Sequence, residues 1–521
     1  MADRAVAIIA PRAWPGGLAA AAVAALILSA LAAVVWRADA SRGLGAGDWS
    51  AIRFTVVQAT WSAVLSVGLA VPVARALARR RFAGRALLVT LLGAPFILPV
   101  IAAVLGLLAV FGRAGWVNLG LDALGAPPVS IYGLHGVVLA HVFFNLPLAT
   151  RLLLQAWQSI PVERFRLAAQ LDLGPRMVFR TLEWPLLMQA VPGALALVFV
   201  ICLTSFAVAL TLGGGPRATT IELAIYQAFR FDFDLGRAAV LSVVQLVLAG
   251  GVAVLALWFI PPISFGTGLD RPLTRWDARG GGQRGLDAVW ILLATVFLLL
   301  PLVAVLGAGL AGLNDVPASV WRAAAASIGV ALSSVAVMGV LALPMAALIA
   351  PRRRGGIEAV GLLGLSASPL MIGTGWFILI NPVANPAALA LPVTALVNAL
   401  MALPFVLRIL VPRLRDTLLQ YGRLGAALDM RGWALWRWVL LPRLRPQLGF
   451  AAGLTGALSM GDLGVIALFA DPERATLPLQ MYRLMGAYRM EAAAGAALIL
   501  LVLALGVFWV FDAGGRAGAD T

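Results

Sequence analysis

Long apolar runs recur along the whole chain, and short polar or Arg-rich segments separate them. The hydrocarbon core of a bilayer, about 30 Å thick, is crossed by roughly 20 residues of helix. Measured against that unit, the runs predict about twelve spans. Six lie at residues 17–36, 54–77, 87–111, 133–154, 188–212 and 237–260, and six more at 287–310, 326–350, 357–380, 388–411, 447–470 and 490–512. Backbone amides in lipid must find partners within their own segment, so runs of this length are helices. The expected fold class is an all-α integral membrane protein.

Composition agrees with the pattern. Of the 521 residues 62% are hydrophobic and 12% charged, against about a quarter charged in soluble domains. The net charge of +16 is carried by Arg alone, because the chain has no Lys. With the N-terminus inside, Arg79 to Arg81, Arg352 to Arg354 and two charged segments fall on one side, while Arg113, Arg217 and Arg474 face the other. That bias follows the positive-inside rule and predicts cytoplasmic termini. Topology and membrane lipid account for the charge, and no nucleic-acid partner is expected. Arg4, Arg12 and the small-residue stretch Ala38-Asp39-Ala40 flank the first apolar run as they would in a signal peptide. Its apolar core is long for a signal, whose own core is about 7–15 residues, so a retained anchor helix is expected. Cys202 is the only cysteine, which leaves no intrachain disulfide or cysteine metal cluster. His135 and His141 stand roughly 240° apart on a helix, and no metal is expected there.

An Arg- and Gly-rich stretch containing RPLTRWDARGGGQRG divides the chain into residues 1–260, a cytoplasmic linker at 261–286, and residues 287–521. Each flanking part holds six spans, and two six-helix halves are a common transporter plan. Internal similarity runs without a gap from Leu146–Pro185 to Leu403–Pro442, an offset of 257 residues. Within it Arg151 matches Arg408, Arg166-Leu167 matches Arg423-Leu424, Ala169 matches Ala426, Leu171-Asp172 matches Leu428-Asp429, Arg180 matches Arg437, and Pro185 matches Pro442. Each copy reads as helix, turn and second helix outside the bilayer, over about 159–186 and 416–443. Ser159 and Asp416 are the expected N-caps. Leu167 with Leu171, and Leu424 with Leu428, share a helix face. Turns are expected near Asp172 to Gly174 and Asp429 to Gly432, with Pro175 starting the next helix and Pro185 and Pro442 marking the bend back to the membrane. Two exposed hairpins, one per half, predict docking to a partner of two-fold symmetry; an interfacial helix seated in lipid headgroups is the alternative.

The repeated segment resembles the EAA loop of ABC importer permeases, whose pattern is Glu-Ala-Ala, three residues, Gly, nine residues, a hydrophobic residue, one more, then Leu-Pro. Arg166 and Arg423 stand at the Glu position, and Asp172 and Asp429 at the Gly position. The resemblance implies ATPase coupling through these loops. It assigns that role to the matched residues together with Glu163, Ala168, Gly174 and Gly432. Three stretches, HVFFNLPLATRLLLQAW from His141, SFAVALTLGGGPRATTIELAIYQAFRFDFDLGRAA from Ser205 and SMGDLGVIALFADPERATLPLQMYRLMGAYR from Ser459, resemble the fused permeases of thiamine and thiamine pyrophosphate importers. Fused permeases for ferric iron share the doubled architecture and are the nearest alternative. The resemblance implies a bacterial inner-membrane transport subunit, a periplasmic substrate-binding protein, a thiamine-type cargo and two copies of a cytoplasmic ABC ATPase. No cofactor is expected on this chain. ATP and Mg belong to the ATPase, since a Walker A loop needs a Lys and none is present.

Other positions carry weaker expectations. Asn145 and Pro147 lie mid-span, where Pro can kink a helix and Asn145 is a candidate for the gate. Gly213 to Gly215 followed by PRATTIEL reads as an outer loop entering a short helix capped by Thr219 or Thr220; Gly214, Arg217 and Glu222 are candidate contacts for the binding protein. Asp462, inside a predicted span, belongs in a cavity or the bundle interior, either drawing a cationic cargo or bonding backbone where Gly461 and Gly464 loosen the helix. Trp61, Trp116 and Trp376 suit interfacial anchoring or stacking on a cation. A proton-coupled carrier is the rival class. Such carriers place ionisable groups within their spans, and here these are few.

Overall fold

The computed structural model describes residues 12–38, 43–93, 97–215, 218–257, 280–351, 360, 364, 368–469 and 474–517. Its first twelve helices are α1 (Ala13–Arg37), α2 (Ala46–Arg79), α3 (Arg85–Leu91), α4 (Val100–Phe111), α5 (Trp116–Ala123), α6 (Leu134–Gln158), α7 (Val162–Gln170), α8 (Pro175–Val178), α9 (Trp184–Leu203), α10 (Phe206–Leu212), α11 (Ile221–Arg230) and α12 (Leu235–Leu257). The rest are α13 (Gly281–Ala311), α14 (Ala318–Ile349), α15 (Pro369–Ile380), α16 (Ala390–Ala427), α17 (Trp433–Leu435), α18 (Leu441–Met460), α19 (Gly464–Phe469), α20 (Leu477–Gly486) and α21 (Met490–Arg516). Among the described residues, 11 helical stretches are long and apolar enough to cross a membrane, and α15 is a shorter apolar helix.

Three expectations change. The spans predicted at 188–212 and 447–470 are each interrupted, by Thr204-Ser205 between α9 and α10 and by 461–463 between α18 and α19. Thr204 turns its hydroxyl back onto the carbonyls of Val200 and Ile201, and Gly461 and Gly464 carry no side chain to hold a helical turn. The span predicted at 87–111 is divided into α3 and α4. The linker predicted at 261–286 falls outside the described residues up to 279, and its last residues, from Gly281, already belong to α13.

The described chain forms two compact units. One comprises Met1–Arg42, Ile225–Leu246 and Asp315–Thr521; the other comprises Gly43–Ala224 and Val247–Asn314. In the first, α1 packs on α14 and α15; in the second, α13 packs on α2 and α4. The opening helix of each sequence half is therefore built into the unit that holds most of the other half. Both packings use glycine to bring backbones together, as small residues do between membrane helices. A Cβ on Gly375 would lie 2.2 Å from the Ala30 carbonyl oxygen, and one on Gly106 would lie 2.3 Å from that of Pro301. The repeat is structural as well as sequential. Shifted by 257 residues, α9 at 184–203 falls on α18 at 441–460, and a π-helical turn at Phe179–Glu183 falls on one at Trp436–Leu440. Such turns are rare overall and frequent at functional sites.

Gly375→Val should force α1 and α15 apart and cost about 1–3 kcal/mol, read as a lower thermal unfolding midpoint in detergent. Gly307→Val, where nothing lies within 4 Å of an added Cβ, should leave the midpoint near wild type.

Candidate functional site

The charged segments form two hairpins. In the first, α6 stops at Gln158 because Pro161 follows, and the residue before a proline avoids helical backbone. In the second, Leu418 takes the place of Pro161 and α16 runs on unbroken for 38 residues, straight into the hairpin arm. The expected N-caps are corrected accordingly. Ser159 ends α6, donating to the Ala156 carbonyl at 2.7 Å, and Asp416 lies mid-helix in α16.

The turns explain the Asp that stands at the Gly position of the Glu-Ala-Ala-Gly pattern. Asp172 and Asp429 have φ of 47° and 48°, the left-handed region that Gly enters freely and Asp more readily than most residues. Leu173 N donates to Ala168 O at 3.0 Å and Asp172 N to Ala169 O at 3.1 Å; Met430 N donates to Gly425 O at 2.9 Å and Asp429 N to Ala426 O at 3.1 Å. These paired bonds are the Schellman closure of a helix end. Gly174 and Gly432 are the N-caps of the second arms, and Gly432 also has positive φ, at 57°. Pro185 and Pro442, expected at the bend back to the membrane, stand at the starts of the two long helices. Each is the second residue of α9 or α18, directly after the π-helical turn, and that wider turn accommodates the missing N–H.

Phe165 and Ala168 bury one face of the first arm, as Gly422 and Gly425 do in the second hairpin. The opposite face is open. Leu167 and Leu171 are 56% and 63% exposed, and Leu424 and Leu428 are 57% and 62% exposed. Glu163, Arg166, Ala169, Arg423 and Ala426 are exposed beside them, as are Pro185 and Pro442 at the bases of the hairpins.

Deeper in each unit, a polar cluster ties the broken helix to its neighbours. In the first half, Ser62 Oγ of α2 shares a 3.1 Å hydrogen bond with His141 Nδ1 of α6. Gln58 Nε2 donates to the Cys202 carbonyl at 2.9 Å, and Asn145 Nδ2 donates to His141 O at 2.8 Å and Cys202 Sγ at 3.4 Å. In the second half, Ser334 Oγ of α14 and Ser459 Oγ of α18 are 2.9 Å apart, and Asn398 Nδ2 donates to Ser459 Oγ at 3.1 Å. His141 and Cys202 correspond to Asn398 and Ser459 at the same 257-residue offset, and Ser62 to Ser334 at 272. Thr55 and Ser327, also 272 apart, accept the amides of Ile221 and Leu477 at 2.8 Å. Every side chain in these clusters is buried.

Of the single residues singled out in the sequence, Asn145 therefore belongs to a tie, and Asp462 occupies the break before α19. Its Oδ1 accepts the Gly464 amide at 3.2 Å, while Oδ2 is buried without a partner among the described residues. Thr220, rather than Thr219, caps α11 by accepting the Leu223 amide at 3.2 Å. Gly214 is exposed with φ of 76°. Arg217 lies outside the described residues. Glu222 is 1% exposed, which removes its carboxylate from the surface a partner would touch. Trp61 and Trp116 are half exposed, at 54% and 48%. The clusters and the pair Arg75–Glu183 were not anticipated. Extending the 257-residue offset past Pro185 would have aligned Cys202 with Ser459.

A helical membrane permease with a doubled plan is the class these features define. No family model matches the chain. Comparison with known proteins gives the thiamine transport system permease protein ThiP of Escherichia coli strain K12, 40% identical over 96% of this chain and 96% of that protein. The ThiP protein of Brucella abortus strain 2308 is 39% identical over 97% and 95% of the two chains, and that of Haemophilus influenzae is 34% identical over 88% and 87%. The chain belongs to the ThiP family of transport permeases.

At the first turn, Asp172→Gly should leave thermal stability unchanged or raise it. Asp172→Val should lower it by about 1–2 kcal/mol, the cost of a left-handed backbone for a β-branched residue, measured by thermal unfolding in detergent.

Proposed function

We propose that this chain is the conduit for thiamine or thiamine pyrophosphate across the bacterial inner membrane, in an importer powered by separate ATPase subunits. The observation that carries the reading is the pair of repeated hairpins whose Leu167, Leu171, Leu424 and Leu428 stand exposed beside charged residues. Duplicated apolar faces of this kind suit two copies of one ATPase, and the ThiP relatives are named for thiamine transport. Residues 1–260 and 287–521 act as two homologous permease halves, with both termini and both hairpins on the cytoplasmic side. ATP and Mg stay with the ATPase, because a chain without Lys cannot build a Walker A loop.

In this reading a periplasmic binding protein delivers cargo to the outer face, near the loop of Gly214 and Arg217. ATP binding draws the ATPase subunits together, and each hairpin passes that movement to α9 or α18 through its π-helical turn. The breaks before α10 and α19, with Asn145 and Asp462 beside them, are where the path opens and closes. A single carboxylate at Asp462 suits a cargo whose thiazolium is positively charged, since an ionisable group within a span belongs on a pathway or in a buried pair.

Leu171→Asp with Leu428→Asp should cut co-purification of the ATPase at least tenfold while membrane insertion stays normal. Unchanged co-purification and transport would overturn the docking. In proteoliposomes holding the full complex, thiamine uptake should require ATP. Uptake driven by a proton gradient without the ATPase would identify a secondary carrier instead, and a cognate binding protein that takes ferric iron but not thiamine would reassign the cargo.

A further inference from the structure

Glu183 is the last residue of the first π-helical turn and is completely buried, yet it carries a carboxylate. Its Oε2 accepts from Arg75 Nε of α2 at 2.7 Å, and the Arg75 guanidinium carbon lies 4.7 Å from the centre of the Phe179 ring. The carboxylate is buried while the Arg75 side chain is a quarter exposed, and an ion pair taken even partly out of water is weak evidence for stability, because desolvation offsets the attraction. The second half has smaller apolar residues at the corresponding positions. Arg75 corresponds to Ala347 at the 272-residue offset and Glu183 to Leu440 at the 257-residue offset. Both are buried, at 3% and 0% exposure. Packing at this position does not require charge.

What the pair does is join two elements at their cytoplasmic ends that are already joined in mid-membrane. Arg75 lies 13 residues after Ser62 along α2, about 20 Å at the helical rise. Ser62 and Gln58 tie α2 to His141 and to the Cys202 carbonyl at the end of α9. Pro72 stands between these levels and cannot donate to the carbonyl of Gly68, so α2 is weakened between its two attachments. With the Arg75–Glu183 link, α2 and α9 are held at both levels.

We infer that Arg75 and Glu183 are a positioning pair, a strut that makes α2 move with the first hairpin when an ATPase pushes on it. The inference rests on the docking proposed above. The second half has no charge pair at these positions and depends on the Ser334–Ser459 tie, so the two halves respond unequally to the same ATPase cycle.

The direct test transplants the second-half pair into the first half as Arg75→Ala with Glu183→Leu, in the full complex with ATPase and binding protein in proteoliposomes. The variant should assemble, with a thermal midpoint lowered only by the lost side-chain volume, and hydrolyse ATP within about twofold of wild type. Thiamine imported per ATP hydrolysed should fall at least fivefold. An unchanged ratio would mean that the pair is only structural. Failure of the double variant to assemble would also overturn the inference, since it would make the charge pair necessary for folding. Glu183→Gln, which keeps the volume and a hydrogen bond to Arg75 but loses the charge, should lower the ratio in the same direction, and an unchanged ratio there would contradict the strut too. Docking is read by co-purification and the strut by this ratio, so each can fail without the other.

Discussion

A helix that breaks inside a bilayer leaves backbone groups with no water to satisfy them, and the breaks after α9 and α18 depend on how neighbouring helices hold the chain around them. Gln58 takes up the carbonyl of Cys202 at the end of α9, and Asp462 takes up the Gly464 amide at the start of α19. Ser62, His141 and Asn145 on one side, and Ser334, Asn398 and Ser459 on the other, form the frame. The same positions carry polar side chains in both halves, but the bonds differ: Ser62 pairs with His141 in the first, and Ser334 pairs with Ser459 in the second. Interrupted helices are also where membrane transporters place the groups that meet a cargo.

The hairpins complete this arrangement at the far end of the same helices. Their open faces carry leucines at helical spacing, and their second arms run without interruption through a π-helical turn into the broken helices. A push on a hairpin therefore has a continuous helical route to a break. The halves are not equivalent on this route. Pro161 separates α6 from α7 in the first, where α16 is continuous in the second, and Arg75–Glu183 has only Ala347 and Leu440 as its counterpart. Fusion into one chain lets the two copies drift apart while keeping one copy of each.

Much of the fold was legible because apolar run length is a strong signal. Helices α1, α2, α13, α14 and α21 each cover or nearly cover a predicted span. The second break is foreshadowed by Gly461 and Gly464, which loosen the helix, and by Asp462, which bonds the Gly464 amide; the first, at Thr204-Ser205, has no comparable signal in the sequence. The hairpins were visible as a repeat, and the exposure of Leu171 and Leu428 follows from their spacing. Their internal geometry differs from the expected N-caps at Ser159 and Asp416. Local cap rules apply to isolated helix ends, whereas in the second half the membrane helix continues into the arm. The polar ties and the Arg75–Glu183 pair join residues far apart in sequence, and single-helix reasoning has no access to such pairs. The Asp in place of Gly at the hairpin turns was apparent at once, but its harmlessness required the left-handed backbone to be seen.

In the proposed cycle the hairpins move when ATP binds and carry the motion to the breaks. Cys202→Ser, which places the residue of Ser459 at its counterpart, removes the only cysteine and permits spin labels at Gln170→Cys and Ala427→Cys, exposed positions of the same arms beside the docking leucines. The separation between the two labels, measured by pulsed electron resonance on the complete complex, should shift by several ångströms when ATP binds and return on hydrolysis. A distance that stays the same in both nucleotide states while thiamine is being imported would contradict the account.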